Sequence, residues 1–340
     1  MLCIVLARPS TGHPAFQKIG RSMRATYMNI PSLRFTIIIP TKNRGQILRH
    51  LLDSIGALND IGRIRPEIIV ADNNSSDDTW ECINSMAKGF PTTIRGLRVV
   101  RAGKSAAINE AVKTSTGNVL AFLDDDVIVE ETWLVAIREF FQNGNCQVGQ
   151  GFIGLQSTPN DPEITKLVEI YRTIPRLEYN PNVGTLHSLN GANFFMSRAL
   201  FNRIGGFDER LGPGASGTSE DVDLAWRLIR AGVSIGYAPK AVVYHRIDRD
   251  RLTEAYFKQS HRRQGVSRFL MRKQGGAEIL FNLLRVVTQY GYYTLLGQER
   301  NRYRSKGRIY HYLGMIEAKQ NGSKSAGTKD DLRTRSPSLT

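Results

Sequence analysis

Four short apolar runs, each ending in a polar cluster, constrain this chain more than any other feature. They cover residues 35–40, 67–71, 97–101 and 119–123. Runs that are apolar at consecutive positions suit parallel strands buried on both faces. Between the first two, Ile47, Leu48, Leu51, Leu52 and Ile55 recur at helical spacing, which predicts an amphipathic helix over 46–57. Further helices are expected over 79–86 and 105–113. Strands alternating with helices through about 90 residues predict an α/β fold with a doubly wound, mainly parallel sheet. Ligands of such sheets lie beyond the carboxyl ends of the strands. The polar clusters 41–44, 72–78, 101–104 and 124–126 all fall at those ends. One site assembled from four loops is therefore expected.

Beyond Trp133 the alternation loosens. Residues 147–155 and 193–197 read as strands, 219–231 as a helix, and 233–237 and 241–245 as two short strands. From Arg251 the chain is helical and basic, and beyond Lys319 it is rich in Ser, Gly, Lys and Thr, a composition of disordered segments. These shifts divide the chain into a leader (1–33), an α/β domain (34–250), a helical basic extension (251–318) and a disordered tail (319–340). The leader has basic residues and no acid before Leu33. It fits either a processed segment or residues upstream of a start at Met28.

The acidic run Asp124-Asp125-Asp126 directly follows a buried strand. Adjacent carboxylates repel one another when ionised, and a hard divalent cation such as Mn²⁺ or Mg²⁺ relieves this through oxygen ligands. Alternate side chains of an extended segment point the same way, so Asp124 and Asp126 can share one ion. The bland alternative is that these acids cap a following helix. A second acidic group, Glu220-Asp221, opens the helix at 219–231. Thr218 and Asp221 could form a variant capping box; alternatively Asp221 is a general base for an attacking hydroxyl. The glycine-rich stretch 212–217 before it suits a loop that closes over substrate. His245 ends a short β-branched strand, as a packing residue or as an imidazole ligand to the same cation. Lys42 and Arg44 sit at a strand-to-helix turn, where anions are favoured. Asp72 and Lys104 offer an acceptor for a base or ribose and a cation for a phosphate.

Taken together and in this order, residues 37–44, 68–79, 103–109, 120–126 and 205–209, Glu220-Asp221 and Tyr244-His245 resemble glycosyltransferase family 2 over about residues 35–245. The resemblance implies a GT-A fold, in which a nucleotide-binding sheet merges with a smaller acceptor-side mixed sheet. It implies an enzyme that inverts the anomeric carbon and uses a divalent cation. The donor it implies is a nucleotide-diphosphate sugar, UDP-, GDP- or dTDP-linked, and the acceptor a glycan or lipid-linked hydroxyl. By position, Pro40, Thr41, Arg44, Asp72 and Asn74 would contact the nucleotide. Lys104 and Asp125 would lie near the sugar and phosphates, and Asp124 and Asp126 would be the metal-binding DxD pair. His245 would be a further ligand, and Asp221, beside Glu220, the base. Polysaccharide, glycolipid or other cell-envelope glycan synthesis is the setting this implies.

Two rivals are a nucleotidyltransferase, which would carry a glycine-rich phosphate loop where this chain has Pro40-Thr-Lys-Asn-Arg44, and a non-catalytic nucleotide-sugar-binding protein, which would be free to lose Asp221 or the acidic run. The net charge of +15 concentrates toward the end, where residues 246–340 hold 20 Lys and Arg against 8 Asp and Glu. Without interleaved aromatics or a recognisable module this is a weak signal for nucleic acid. Two readings of the extension stand: contact with an anionic membrane, or packing on protein. No run of about 18 apolar residues occurs, and residues 277–297 contain Glu278, Asn282, Arg285 and Gln289, as interfacial segments do. The expected location is cytoplasmic, peripheral on the inner face of the cell membrane. Three scattered cysteines, Cys3, Cys82 and Cys146, fit reduced thiols.

Overall fold

The computed structural model describes residues 32–144, 146–156, 161–180 and 185–333. The leader up to residue 31, including Cys3 and Met28, lies outside the described residues, as do residue 145, residues 157–160 and 181–184, and the last seven residues.

The apolar runs form strands β1 (Phe35–Thr41), β2 (Glu67–Asp72), β3 (Ile94–Arg98) and β4 (Val119–Leu123). Helices α1 (Gly45–Gly56), α2 (Ile61–Ile64), α3 (Thr79–Ala87) and α4 (Lys104–Thr114) connect them. The third strand lies a little earlier than its hydrophobicity suggests. Parallel pairing with β2 runs from Ile68↔Ile94 to Asp72↔Arg98, and the apolar Val99 and Val100 fall beyond it. β5 (Val127–Val129), α5 (Trp133–Gln142), β6 (Val148–Leu155), α6 (Pro162–Tyr171), β7 (Asn193–Ser197), α7 (Arg198–Ile204), α8 (Glu220–Arg230) and β8 (Gly236–His245) complete the body.

The eight strands make one sheet in the order β3-β2-β1-β4-β7-β6-β8-β5. Its β3-β2-β1-β4 half is parallel. β7 pairs antiparallel with both β4 and β6, so the second half is mixed. The segments expected as two strands, 233–237 and 241–245, share the single strand β8. Pairing with β6 jumps from Gly151↔Ala238 to Phe152↔Val242, and the skipped residues include Pro239, whose nitrogen cannot join a ladder.

Consecutive apolar residues are needed because both sheet faces are covered. Ile37 and Ile39 face one core with Leu48, Leu51, Trp133 and Ile137. Ile38 between them faces the other, with Ile108, Phe122, Phe194 and Leu224.

After a short 3-10 turn (Arg249–Leu252), the basic segment forms α9 (Glu254–Met271), α10 (Gly276–Leu295) and α11 (Glu299–Arg333). α11 thus continues into the stretch whose composition suggested disorder. α9 and α11 cross with their backbones touching at glycines: a Cβ on Gly265 would lie 1.9 Å from the His311 carbonyl oxygen, and one on Gly314 would lie 2.0 Å from that of Arg262. The pair is joined to the body through Tyr171, Leu252, Phe257 and Tyr303. It is joined also by Arg268, stacked 4.1 Å from the Trp226 ring centre, and by the hydroxyls of Ser216 and Ser267, 2.7 Å apart. Cys82 and Cys146 are free thiols.

Candidate active site

The parallel half of the sheet brings the ends of β1, β2 and β4 side by side, and the polar clusters converge there. The Asp124–Asp126 run is followed by a strand, β5, and not by a helix. Helix capping therefore does not explain it.

The three carboxylates have separate surroundings. Asp125 is buried; it accepts the Thr41 hydroxyl at 2.7 Å and the Arg44 guanidinium at 2.7 Å. Burial and the neighbouring Asp126 raise its pKa, against the pull of Arg44 and Thr41. Asp126 is also buried, yet burial is outweighed by the surrounding cations, Arg251, Arg44 and Lys104, which hold its pKa below the ordinary value. Its Oδ2 accepts from Arg44 at 3.2 Å and from Arg251 at 2.6 Å. Asp124 accepts from the Lys104 ammonium at 2.5 Å, and Glu220 lies 3.1 Å from the same nitrogen. Burial acts to lower the Lys104 pKa, but Asp124 and Glu220 reverse it and keep the side chain charged.

One pair of atoms lacks partners. Asp126 Oδ1 and His245 Nε2 are buried without a hydrogen bond, although they face one another at 3.2 Å. The other ring nitrogen, Nδ1, lies 3.0 Å from the Arg246 carbonyl oxygen. A carbonyl only accepts, so Nδ1 carries a proton and a neutral ring presents a lone pair at Nε2. A lone pair facing a carboxylate oxygen is repulsive unless a proton or a metal ion lies between them. Asp124, Asp126 and His245 offer ligand atoms that all lie within 4.8 Å of one another. Oxygen and imidazole donors in this arrangement could hold a divalent metal ion.

Thr218 and Asp221 do not form a capping box. Ser219, in a left-handed conformation (φ 75°), precedes α8 without a side-chain capping bond. Asp221 instead accepts from the Gly191 N–H at 2.9 Å and the Val222 N–H at 2.8 Å. Burial and the adjacent Glu220 push its pKa up to about 6, against the lowering effect of Lys104 and the two N–H donors. Gly191 lies between the two acidic groups. A Cβ there would come within 3.1 Å of Lys104 Nζ and 3.9 Å of both Asp124 Oδ1 and Asp221 Oδ2. Gly191→Ala is accordingly expected to reduce turnover at least tenfold while leaving the melting temperature within a few degrees, as thermal unfolding and a rate assay would register.

The remaining expected residues divide. Pro40 and Thr41 end β1, but the Thr41 hydroxyl and the Arg44 guanidinium are engaged with the acidic run. Asp72 accepts the Ser75 N–H through Oδ1, whereas its Oδ2 is buried and partnerless. Asn74 is exposed, in a left-handed conformation (φ 59°). Its neighbour Asn73, which the sequence did not single out, is buried and bonds Val99 O, Arg101 O and Gly103 N. Arg251 and Gly191 were missed as well. Arg251 lies in what reads as the basic extension, and Asn190-Gly191 looks like an ordinary turn before a strand. The glycine-rich loop is fastened on both sides, by Lys104 N–H to Pro213 O at 2.9 Å and by Ser216 to α9.

Residues 36–205 match the model of glycosyl transferase family 2. The chain belongs to that family. It is a glycosyltransferase of GT-A fold, and the acidic run stands where the family's Asp-x-Asp motif is expected. The succinoglycan biosynthesis protein ExoM of Rhizobium meliloti is 25% identical over 82% of this chain and 92% of its own length. The pre-mycofactocin glycosyltransferase of Mycobacterium tuberculosis is 29% identical over 62% of this chain but only 42% of its own. Among solved structures, the mannosyltransferase PcManGT from Pyrobaculum calidifontis, in complex with GDP-Man and Mn²⁺, superimposes with a TM-score of 0.56 at 17% identity. That match covers 84% of this chain and 87% of the other. TarS 1-349 of S. aureus with UDP-GlcNAc gives 0.51 at 18% identity over 72% and 69%.

Proposed function

We propose that this enzyme transfers a sugar, with inversion, from a nucleotide-diphosphate sugar to a hydroxyl of a glycan or lipid-linked acceptor in cell-envelope or polysaccharide synthesis. The observation that carries the reading is the partnerless pair Asp126 Oδ1 and His245 Nε2, facing one another beside Asp124 on the same rim as Asp221. Asp124, Asp126 and His245 would hold Mn²⁺ or Mg²⁺. When bound, the ion offsets negative charge on the departing diphosphate.

The chain's own groups supply the rest. Asp72, through its free Oδ2, is suited to accept an N–H or hydroxyl of the nucleoside, and Pro40 and Asn74 border that end. Arg44, Thr41 and Arg251 fix the acidic run in one orientation, and Lys104 keeps positive charge near the phosphates. Asp221 takes the acceptor proton as the new bond to the anomeric carbon forms on the face opposite the leaving group. The bond to the diphosphate oxygen breaks with its electron pair, so a single displacement inverts the centre and requires no protein nucleophile.

The biosynthetic setting is supported by the likeness to the succinoglycan biosynthesis protein ExoM, and use of a nucleotide-sugar by the donors bound to PcManGT and TarS. We infer a cytoplasmic enzyme, peripheral on the inner face of the cell membrane. No helix among the described residues is long and apolar enough to cross a membrane. A screen of UDP-, GDP- and dTDP-sugars with Mn²⁺ or Mg²⁺ tests the reading by nucleotide release. One donor class is expected to turn over, with loss of the signal in excess chelator. Full turnover in chelator would remove the metal, and release from no donor would remove the donor class.

A further inference from the structure

We propose that the outward face of α10 is the surface through which this enzyme docks on an anionic lipid bilayer. The inference gives a site of contact to the peripheral location inferred above. One side of α10 is used up by the fold, where Ile279 and Val286 are buried. The opposite side is apolar and open. Phe281 is 68% exposed, Leu284 57%, Leu280 53% and Val287 46%, and Leu295 at the turn into α11 is 89% exposed. At helical spacing these residues form one continuous stripe. Scattered exposed leucines are ordinary on a protein surface, whereas a contiguous apolar stripe on one helix marks a contact surface.

The charges around the stripe select the occupant. Residues 262–319 hold twelve Lys and Arg against three Glu. Arg272 and Lys273 precede α10, Arg285 lies within it, and Arg300 and Arg304 follow its end. All five are exposed, and none has a carboxylate partner among the described residues. Two of the nearby acids are engaged already: Glu299 with Lys166, and Glu317 with Arg262. An apolar stripe with uncompensated cations at both ends and in its middle complements acyl chains beneath anionic headgroups. Tyr292, exposed on the same helix, adds a ring suited to the headgroup level. A second copy of the chain docked face to face would bring the same cations against one another, and like charges at close range oppose that pairing. The chemistry therefore favours lipid over a copy of this chain.

The full chain, incubated with sedimenting vesicles of phosphatidylcholine with or without phosphatidylglycerol, is expected to pellet only with the phosphatidylglycerol vesicles and to be released by high salt. The double variant Phe281→Ser with Leu284→Ser is expected to bind at least about tenfold more weakly. A second variant, Arg272→Glu with Lys273→Glu, is expected to lose binding to a similar degree. All four residues are exposed and outside the site, so melting temperature and turnover on a soluble acceptor are expected to match the parent. Failure of the parent to pellet, or undiminished binding by both variants, overturns the proposal. So does a parent dimer that Leu284→Ser dissociates, because a second copy then covers the stripe. Vesicle binding needs no catalysis, so it fails or succeeds independently of the donor and metal assignments.

Discussion

Exchanging Asp126 for Asn is expected to lower turnover on the order of a thousandfold and to weaken Mn²⁺ binding by a similar factor, without unfolding the protein. The catalytic loss follows from removing charge where the leaving diphosphate develops its own. Stability is protected because the two arginines on Asp126 keep other partners. Arg44 retains Asp125 at 2.7 Å, and Arg251 retains Asp248 at 3.7 Å. Asp126→Ala removes the acceptor altogether. Arg44 and Arg251 keep Asp125 and Asp248 here as well, so the added loss of stability comes from the missing acceptor and is expected to exceed that of Asp126→Asn. His245→Ala is expected to weaken the ion less than Asp126→Asn, since it removes a neutral ligand and leaves both carboxylates. Mn²⁺ binding followed by electron paramagnetic resonance, beside nucleotide release, separates these effects. Parent-like Mn²⁺ affinity in Asp126→Asn would move the ion elsewhere.

The parts of the site that could be read from the sequence are those whose chemistry is local. A run of three aspartates after a buried strand signals repulsion that something must relieve, whatever surrounds it. The parallel half of the sheet was legible for a similar reason, because strands covered on both faces need unbroken apolar runs. Arg251 was invisible, because its contact with Asp126 spans 125 residues and arises only when β8 pairs with β5 and the chain turns back. Gly191 was invisible for the opposite reason: what matters there is the absence of a side chain, and only packed coordinates show what a Cβ would meet. Asp125 is the case in which position in a motif and structure diverge in emphasis. By resemblance it is a donor contact. In the fold it is buried under Thr41 and Arg44, which gives it a part in holding the acidic run to β1.

The capping alternatives illustrate how a sequence can leave two physical explanations level. An acid near a helix start is favoured by the helix dipole and also useful as a base, and no spacing rule separates the two. The hydrogen bonds do. Asp221 spends one oxygen on Gly191, in the loop before β7, and only the other on the first-turn N–H of Val222, while Ser219 makes no capping bond.

That geometry leads to the pH dependence of the reaction. As the proposed base, Asp221 would have to be ionised to take the acceptor proton, and its pKa is raised to about 6 by burial and by Glu220, against Lys104 and two backbone N–H groups. Turnover is therefore expected to fall tenfold per pH unit below about 6. An ordinary aspartate would keep the rate level to about pH 4. Glu220→Gln removes one of the raising influences and is expected to move the acid limb to lower pH. Asp221→Asn is expected to cut turnover about a thousandfold at every pH and abolish the limb. The stability effect has the opposite sense. A carboxylate whose folded pKa exceeds its unfolded value stabilises the fold while protonated. That contribution is present below the unfolded pKa and is lost as pH rises through about 6. At neutral pH the ionised Asp221 is thus a burden on the fold. An asparagine can accept only one of the Gly191 and Val222 N–H groups and turns an N–H donor toward the other. This offsets the relief of the buried charge, so the variant's melting temperature is expected to stay within a few degrees of the parent's. An inactive variant that also melted well below the parent would mean that Asp221 serves the fold. An active one, with its acid limb intact, would assign the base to another group.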